Sequence, residues 1–288
     1  VTNFVRVIID PICNSVRIEL NLLHSVADPM ALPRTPRPSD GVAWITGASS
    51  GIGAGIARAL VKEGWTVIGF ARRGEALAEV LAQAQGPGRF LPWPLDVTDA
   101  DACRETAASL IAAHGVPALA ILNAGIYVPD TASTFEAAAF RQTINVNLMG
   151  VAHCLEAVLP AMTQRGWGQL VLVSSVAGYS GLPLALSYGA SKAALINLAE
   201  ALRLDAGRLG VKIQLICPGF VKTPLTDRNS FPMPFLVPLE DAVQRILVGL
   251  TSNRFEITFP RRLAWSMKLL RCLPYPLYFW LIDKTVRS

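Results

Sequence analysis

The chain has 288 residues, 52% of them hydrophobic, with 26 Lys or Arg against 21 Asp or Glu and a formal net charge of +5. That length supports one substantial core with appendages, and the basic residues are scattered rather than gathered into a tract that would mark a nucleic-acid partner. Five dispersed cysteines (Cys13, Cys103, Cys154, Cys217, Cys272) with no CxxC pair, and three dispersed histidines (His24, His114, His153), argue against a disulfide framework or a metal site and fit a reducing, cytoplasmic setting.

Residues 1–40 stand apart. VTNFVRVIIDPICNSVRIELNLLHSV is helix-like but broken at Pro11, and PMALPRTPRPSD carries four prolines, as a linker does. Arg6 and Asp10 interrupt the opening apolar run, so no secretory signal is expected. No uninterrupted apolar run reaches the roughly 18 residues that cross a bilayer. From Asp40 the pattern changes to short apolar runs alternating with helical ones. Strands are expected over 42–46, 65–71, 89–95, 118–125, 168–175, 211–219 and 255–259. Helices are expected after the glycines at 47–53, then over 73–84, 96–115, 135–162, 187–210 and 239–250. Continuously apolar strands separated by helices predict a three-layer, doubly wound α/β fold with a parallel sheet. The expected organisation is an extension and linker over 1–40, a main domain over 41–260 and a basic, aromatic extension over 261–288. Ligands of such a sheet bind beyond the C-terminal ends of its strands.

TGASSGIG, Thr46 to Gly53, lies where the first strand turns into the first helix. Gly47, Gly51 and Gly53 permit close backbone approach, and with Ser49, Ser50 and Ile52 they bring a helix N-terminus to bear on a pyrophosphate. The spacing is not GxGxxG, and no Walker lysine follows. The second strand ends in FARR. A carboxylate there would bind an adenosine ribose; Arg72 and Arg73 instead match a 2'-phosphate in shape and charge. NADP(H) is therefore favoured, with NAD(H) as the alternative. Asp96, beside Val97, follows the third strand and either accepts from an adenine amine or caps a helix. Asn123, Ala124 and Gly125 follow the fourth strand and let a cofactor pass close to backbone.

SYGASK places Tyr188 and Lys192 one helical turn apart. A free phenol, with pKa about 10, is a poor base near neutrality. An ammonium at about 4 Å, with an effective dielectric of 20, attracts a phenolate by roughly 4 kcal/mol before desolvation. The expectation is a tyrosine pKa lowered by up to about three units. Such a pair carries a proton while hydride moves between nicotinamide and a carbonyl or alcohol carbon. Ser175, thirteen residues before Tyr188, is placed to orient the substrate oxygen, and its neighbour Ser174 is the rival because successive strand residues point oppositely. Asn147, in an apolar helical run, calls for a hydrogen-bonding purpose: a water chain to Lys192, or a local helix distortion. In PGFVKTP, Pro218, Gly219 and Val221 bring backbone beside a nicotinamide, and Thr223 holds its carboxamide or caps a helix. TDRNSFPMPFLVP then forms a long apolar loop that closes over an oily substrate or packs on the tail.

TGASSGIG, FARR, Asp96, NAG, Asn147, Ser175, YGASK and PGFVKT, in that order over about residues 40–260, resemble the short-chain dehydrogenase/reductase family. The resemblance implies a Rossmann fold with a mainly parallel seven-stranded sheet and a nicotinamide cofactor. It implies Asn147, Ser175, Tyr188 and Lys192 as catalytic positions, with the tyrosine as acid/base. It also implies a homodimer or homotetramer. Arg72 resembles NADP-preferring members, although Ser49 and Ser50 put no basic residue in the glycine loop. The expected substrate is an apolar small-molecule carbonyl or alcohol. A redox sensor or scaffold that binds dinucleotide without turnover is the competing reading. The tail from Pro260 interleaves Arg261, Arg262, Lys268, Arg271, Lys284 and Arg287 with Trp265, Tyr275, Tyr278, Phe279 and Trp280. It suits peripheral membrane contact, closure of the cleft, or a dimer face.

Overall fold

The computed structural model describes residues 34–287, apart from 228, 230 and 232. The N-terminal run broken at Pro11 and the first part of the proline linker lie outside the described residues. The remainder of the linker is held in place. The Asp40 carboxylate accepts from the Arg37 backbone amide at 2.7 Å and from Arg34 at 3.0 Å, closing a short turn at Pro38–Asp40.

Seven strands form: β1 (Ala43–Thr46), β2 (Thr66–Ala71), β3 (Arg89–Pro94), β4 (Leu119–Leu122), β5 (Gly168–Val173), β6 (Val211–Pro218) and β7 (Glu256–Phe259). They lie in the order β3-β2-β1-β4-β5-β6-β7, and every neighbouring pair is parallel. The Rossmann arrangement expected from the alternation is therefore present. The helices between the strands are α1 (Gly51–Lys62), α2 (Gly74–Gln83), α3 (Ala100–His114), α4 (Ala137–Ile144), α5 (Gly150–Arg165), α6 (Leu186–Arg208) and α7 (Leu239–Leu250).

Both faces of the sheet are covered, which is why its strands lack alternation. Along β1, Ala43 and Ile45 join a core with α1, α2 and α7, while Trp44 joins the opposite core with α3, α5 and α6. The single helix expected over 135–162 is instead two helices joined by a π-helical turn at Asn145–Met149. The stretch Ala137–Arg165 is long and apolar enough to cross a bilayer by length and composition alone. Here it packs against α3 and α6 as part of one helical layer.

The N-terminal ends of β5 and β6 are closed by a buried polar cluster. Lys212 Nζ donates to Leu250 O at 2.9 Å and Thr35 Oγ1 at 2.7 Å; Gln169 Nε2 donates to Gln214 Oε1 at 2.6 Å and to Leu250 O at 3.0 Å. Gln214 Nε2 reaches Gly249 O, Ser252 O and Arg254 O. Leu250 O and Gly249 O are among the last carbonyls of α7, which lack helical partners, and Ser252 O and Arg254 O belong to the loop that follows. Beyond β7, α8 (Arg261–Arg271) buries Ala264 and Met267, and α9 (Tyr275–Arg287) is anchored through Tyr278.

Candidate active site

The chain reverses direction of sheet growth at β1, with β2 on one side and β4 on the other. A cleft of about 700 Å³ opens at the C-terminal ends of these strands, the crevice where α/β sheets bind ligands. Gly47, Ser49, Ser50, Gly51 and Ile52 line one wall. Gly47 and Gly51 have φ of +67° and +51°, which favours glycine at both turns. A side chain on Gly47 would come within 2.9 Å of Ala124 and of Asn123 Nδ2. Gly53 lies behind the cleft wall and shows the close backbone approach expected of it. A Cβ there would fall 2.2 Å from Gly47 O, so its role is the tight packing of α1 against the turn.

Arg72 and Arg73 line the outer part of the same cleft, exposed, with no side-chain partner among the described residues. Asp96 and Val97 line it too. Asp96 Oδ1 accepts from Thr98 N at 3.0 Å and Thr98 Oγ1 at 2.8 Å, while the capping of α3 belongs to Asp99, which accepts from Ala102 N. Asn123, Ala124 and Gly125 form the floor. Asn123 Nδ2 donates to Thr46 O and Gly47 O, tying the β4 loop to the glycine turn.

The cleft runs into a more apolar pocket of about 200 Å³, where Tyr188, Lys192 and Ser175 converge. Pro218, Gly219, Val221 and Thr223 form part of its wall, and Thr223 borders both spaces. The choice between the serines is settled by strand direction. Ser174 is buried and its Oγ donates to Lys192 O at 2.8 Å, fixing β5 to α6. Ser175 is half-buried, accepts from Ala177 N at 3.2 Å and stands beside the Tyr188 hydroxyl.

The buried Asn147 side chain is spent locally. Its Oδ1 accepts from Ile126 N at 2.7 Å, and its Nδ2 donates to Ile126 O and Ser191 Oγ, each at 3.0 Å. It sits in the π turn, so the helix distortion entertained from the sequence is present, and this amide joins α6 to the loop after β4.

The expected depression of the tyrosine is not found. Burial pushes the Tyr188 phenol up to about 12, with the Ser175 hydroxyl acting in the opposite direction. Burial likewise brings the Lys192 amine down to about 8. Lys192 Nζ is turned onto Val173 O at 2.8 Å and lies 5.6 Å from the centre of the Tyr188 ring. Desolvation is the largest cause at both groups. Near neutrality the phenol keeps its proton and the amine remains mostly charged.

Three contributors escaped the sequence reading. Thr46 Oγ1 accepts from Asn123 N at 2.9 Å and Ala124 N at 3.1 Å, holding the β4 loop. Tyr127 packs edge-on to the Tyr188 ring at 5.1 Å and donates to Leu184 O at 3.0 Å. Asp130 is buried and accepts from the Ser187 amide at 2.9 Å and from the Ser187 hydroxyl. Because α6 has no side-chain cap of its own, Asp130 supplies one from a neighbouring loop, one residue before Tyr188. No local capping pattern revealed it. Asn229 also lines the pocket with an Oδ1 that finds no partner among the described residues.

A second tyrosine, Tyr179, is nearby in sequence but committed elsewhere. Its hydroxyl donates to Glu256 Oε1 at 2.6 Å and contacts Thr258 Oγ1 at 3.2 Å, and burial holds it protonated far above the usual range. It lines neither the cleft nor the pocket.

These residues suit a dinucleotide. The first turn of α1 offers backbone N–H groups that a helix leaves unpaired, the glycines keep the floor open, and the Arg72 and Arg73 guanidiniums line the same cleft. The comparisons agree. The family model described as short chain dehydrogenase matches residues 41–231. An uncharacterized oxidoreductase from Myxococcus xanthus is 41% identical over 82% of this chain and 94% of its own length. A 3-oxoacyl-(acyl-carrier-protein) reductase from Thermotoga maritima is 34% identical over 65% of this chain and 76% of its own length. Among solved structures, a short-chain dehydrogenase from Streptomyces avermitilis superposes with a TM-score of 0.73 at 28% identity, covering 86% of this chain and 97% of that one.

Proposed function

The chain belongs to the short-chain dehydrogenase/reductase family, and on that premise we propose that it moves hydride between NADP(H) and a compact apolar carbonyl or secondary alcohol, with Tyr188 carrying the proton. Membership itself carries NAD(P)(H)-dependent oxidoreductase activity. The observation that supports the rest is the meeting of Ser175, Tyr188 and Lys192 where the dinucleotide cleft joins the apolar pocket.

Bound NADP(H) supplies or accepts the hydride. The chain does the remaining work. Ser175 orients the substrate oxygen, Tyr188 donates the proton that this oxygen needs on reduction, and Lys192 balances the charge left on the phenolate. Burial keeps the phenol protonated near neutrality, so in the reductive direction the proton is in place on Tyr188. Arg72 and Arg73, uncommitted in the cleft, support NADP(H) over NAD(H). The pocket, about 200 Å³, is smaller than the roughly 300–1,000 Å³ typical of drug-sized ligands, so the substrate is compact. Asn229 Oδ1 would accept from a second polar group on it. The reading includes a reducing, cytoplasmic location and a homodimer or homotetramer, as the family resemblance implies.

The test is NADPH oxidation followed by absorbance across a panel of small alkyl, cyclic and aromatic ketones and aldehydes. Turnover of compact members supports the reading. Tight NADPH binding with no turnover across the panel would favour the redox sensor instead.

A further inference from the structure

The last two helices leave unusual material in water. α8 turns Ala264 and Met267 inward but leaves Trp265 and Leu269, one turn apart, 70% and 68% exposed. On α9 only Tyr278 is buried among the aromatics; Tyr275, Phe279 and Trp280 are 76%, 61% and 57% exposed. Burying one such side chain is worth roughly 1.5–3 kcal/mol, so a cluster of them in solvent marks a surface that another apolar phase covers.

The surrounding charge indicates which phase. Over 261–284 there are five cations against one carboxylate, Asp283; Arg271 is turned inward onto Tyr179 O, and Arg261, Arg262 and Lys284 are exposed. Lys268 is paired with Glu256, and Lys284 Nζ lies 5.2 Å over the Trp280 ring. Protein interfaces share the aromatics and arginines but are depleted in lysine at their cores, so the exposed Lys284 over Trp280 is what separates this face from one. Tryptophan and tyrosine mixed with Lys and Arg suit the headgroup layer of a bilayer, where rings sit between water and acyl chains and cations meet phosphates. α9, with 13 residues, is about 20 Å long, too short for a hydrocarbon core of about 30 Å. It would lie on the membrane rather than cross it.

The inner side of the same helices holds the rim of the apolar pocket. Arg271 Nη1 donates to Tyr179 O at 3.0 Å, and the Tyr278 hydroxyl donates to Gly181 O. The next residues, Leu182 and Pro183, line the pocket. We infer that the outer face of α8 and α9 seats the protein on an anionic phospholipid surface and brings the pocket rim beside it, so that apolar substrate enters from the lipid.

The test uses the full chain and vesicles of phosphatidylcholine alone or mixed with phosphatidylglycerol, read by co-sedimentation and by tryptophan emission, without turnover. Failure here therefore leaves the proposed chemistry untouched. The chain is expected to bind the mixed vesicles, to bind phosphatidylcholine weakly, and to be released by salt. Lys284→Glu should weaken binding on the order of fivefold or more, and the Phe279→Ser/Trp280→Ser pair should abolish the emission shift, both with unchanged NADPH affinity. Equal binding to both vesicle types, or binding that neither change affects, overturns the inference. So does an absence of vesicle binding combined with a dimer, seen by light scattering, that Phe279→Ser/Trp280→Ser dissociates; that result assigns the face to a second copy of the chain.

Discussion

Two lysines lie buried at opposite ends of the same sheet, and burial brings both amines down to about 8. At the N-terminal end, Lys212 has protein acceptors in Thr35 and Leu250, inside a cluster whose glutamines are also partnered. At the C-terminal end, Lys192 has one protein acceptor among the described residues, Val173 O, and otherwise faces a pocket shared with Tyr188. A shifted pKa thus reports burial in both places. What separates a reactive end from a structural one is donors left uncommitted beside a cavity.

That contrast breaks or sharpens by experiment. The largest effect is expected at Lys192: Lys192→Met should lower kcat by about 10²–10³, whereas Lys212→Met should leave kcat unchanged. For wild type, kcat/KM for carbonyl reduction should fall as pH rises through about 8, where the Lys192 amine loses its charge. Lys192→Arg keeps a cation above that range and should move the falling limb upward; an unmoved limb would detach the lysine from the chemistry. Next, Arg72→Ala should weaken NADPH binding about tenfold or more, the scale of a charge-assisted contact, with NADH binding unchanged in titration. An equal loss for both cofactors would remove the phosphate role.

Smaller effects test the supports. Asp130→Asn replaces the carboxylate that caps α6 and should cost about 1 kcal/mol in urea unfolding. The last effect concerns pH and stability. Between about pH 8 and 10 the folded Lys212 has released its proton while the unfolded lysine keeps one, so the unfolded state binds more protons and stability rises with pH. Lys192 contributes with the same sign. Lys212→Met should flatten part of that rise, and an unaltered slope would contradict the buried, depressed amine.

Much of this contrast was visible in the sequence, and the missing parts share a cause. Continuous apolar runs such as Val42–Thr46 predict a strand covered on both faces, and the turn after it announces the cleft. Tyr188 and Lys192 declare themselves by helical spacing. The π turn at Asn145–Met149 does not, because one widened turn leaves composition and apolar spacing nearly unchanged. Ser174 and Ser175 are chemically identical until strand direction separates them. Asp130 caps a helix 57 residues away in sequence, a contact only the fold creates. The Tyr188 phenol was misjudged because its attraction to lysine can be computed from spacing, whereas its desolvation depends on walls drawn from distant loops.

The most direct measurement compares two tyrosines by single-turnover hydride transfer from bound NADPH to a ketone that wild type reduces. Tyr188→Phe should keep NADPH binding and slow the transfer by about 10²–10⁴, while Tyr179→Phe, which loses only its bonds to Glu256 and Thr258, should react at the wild-type rate. Normal transfer in Tyr188→Phe, or a loss confined to Tyr179→Phe, would contradict the assignment of the proton carrier.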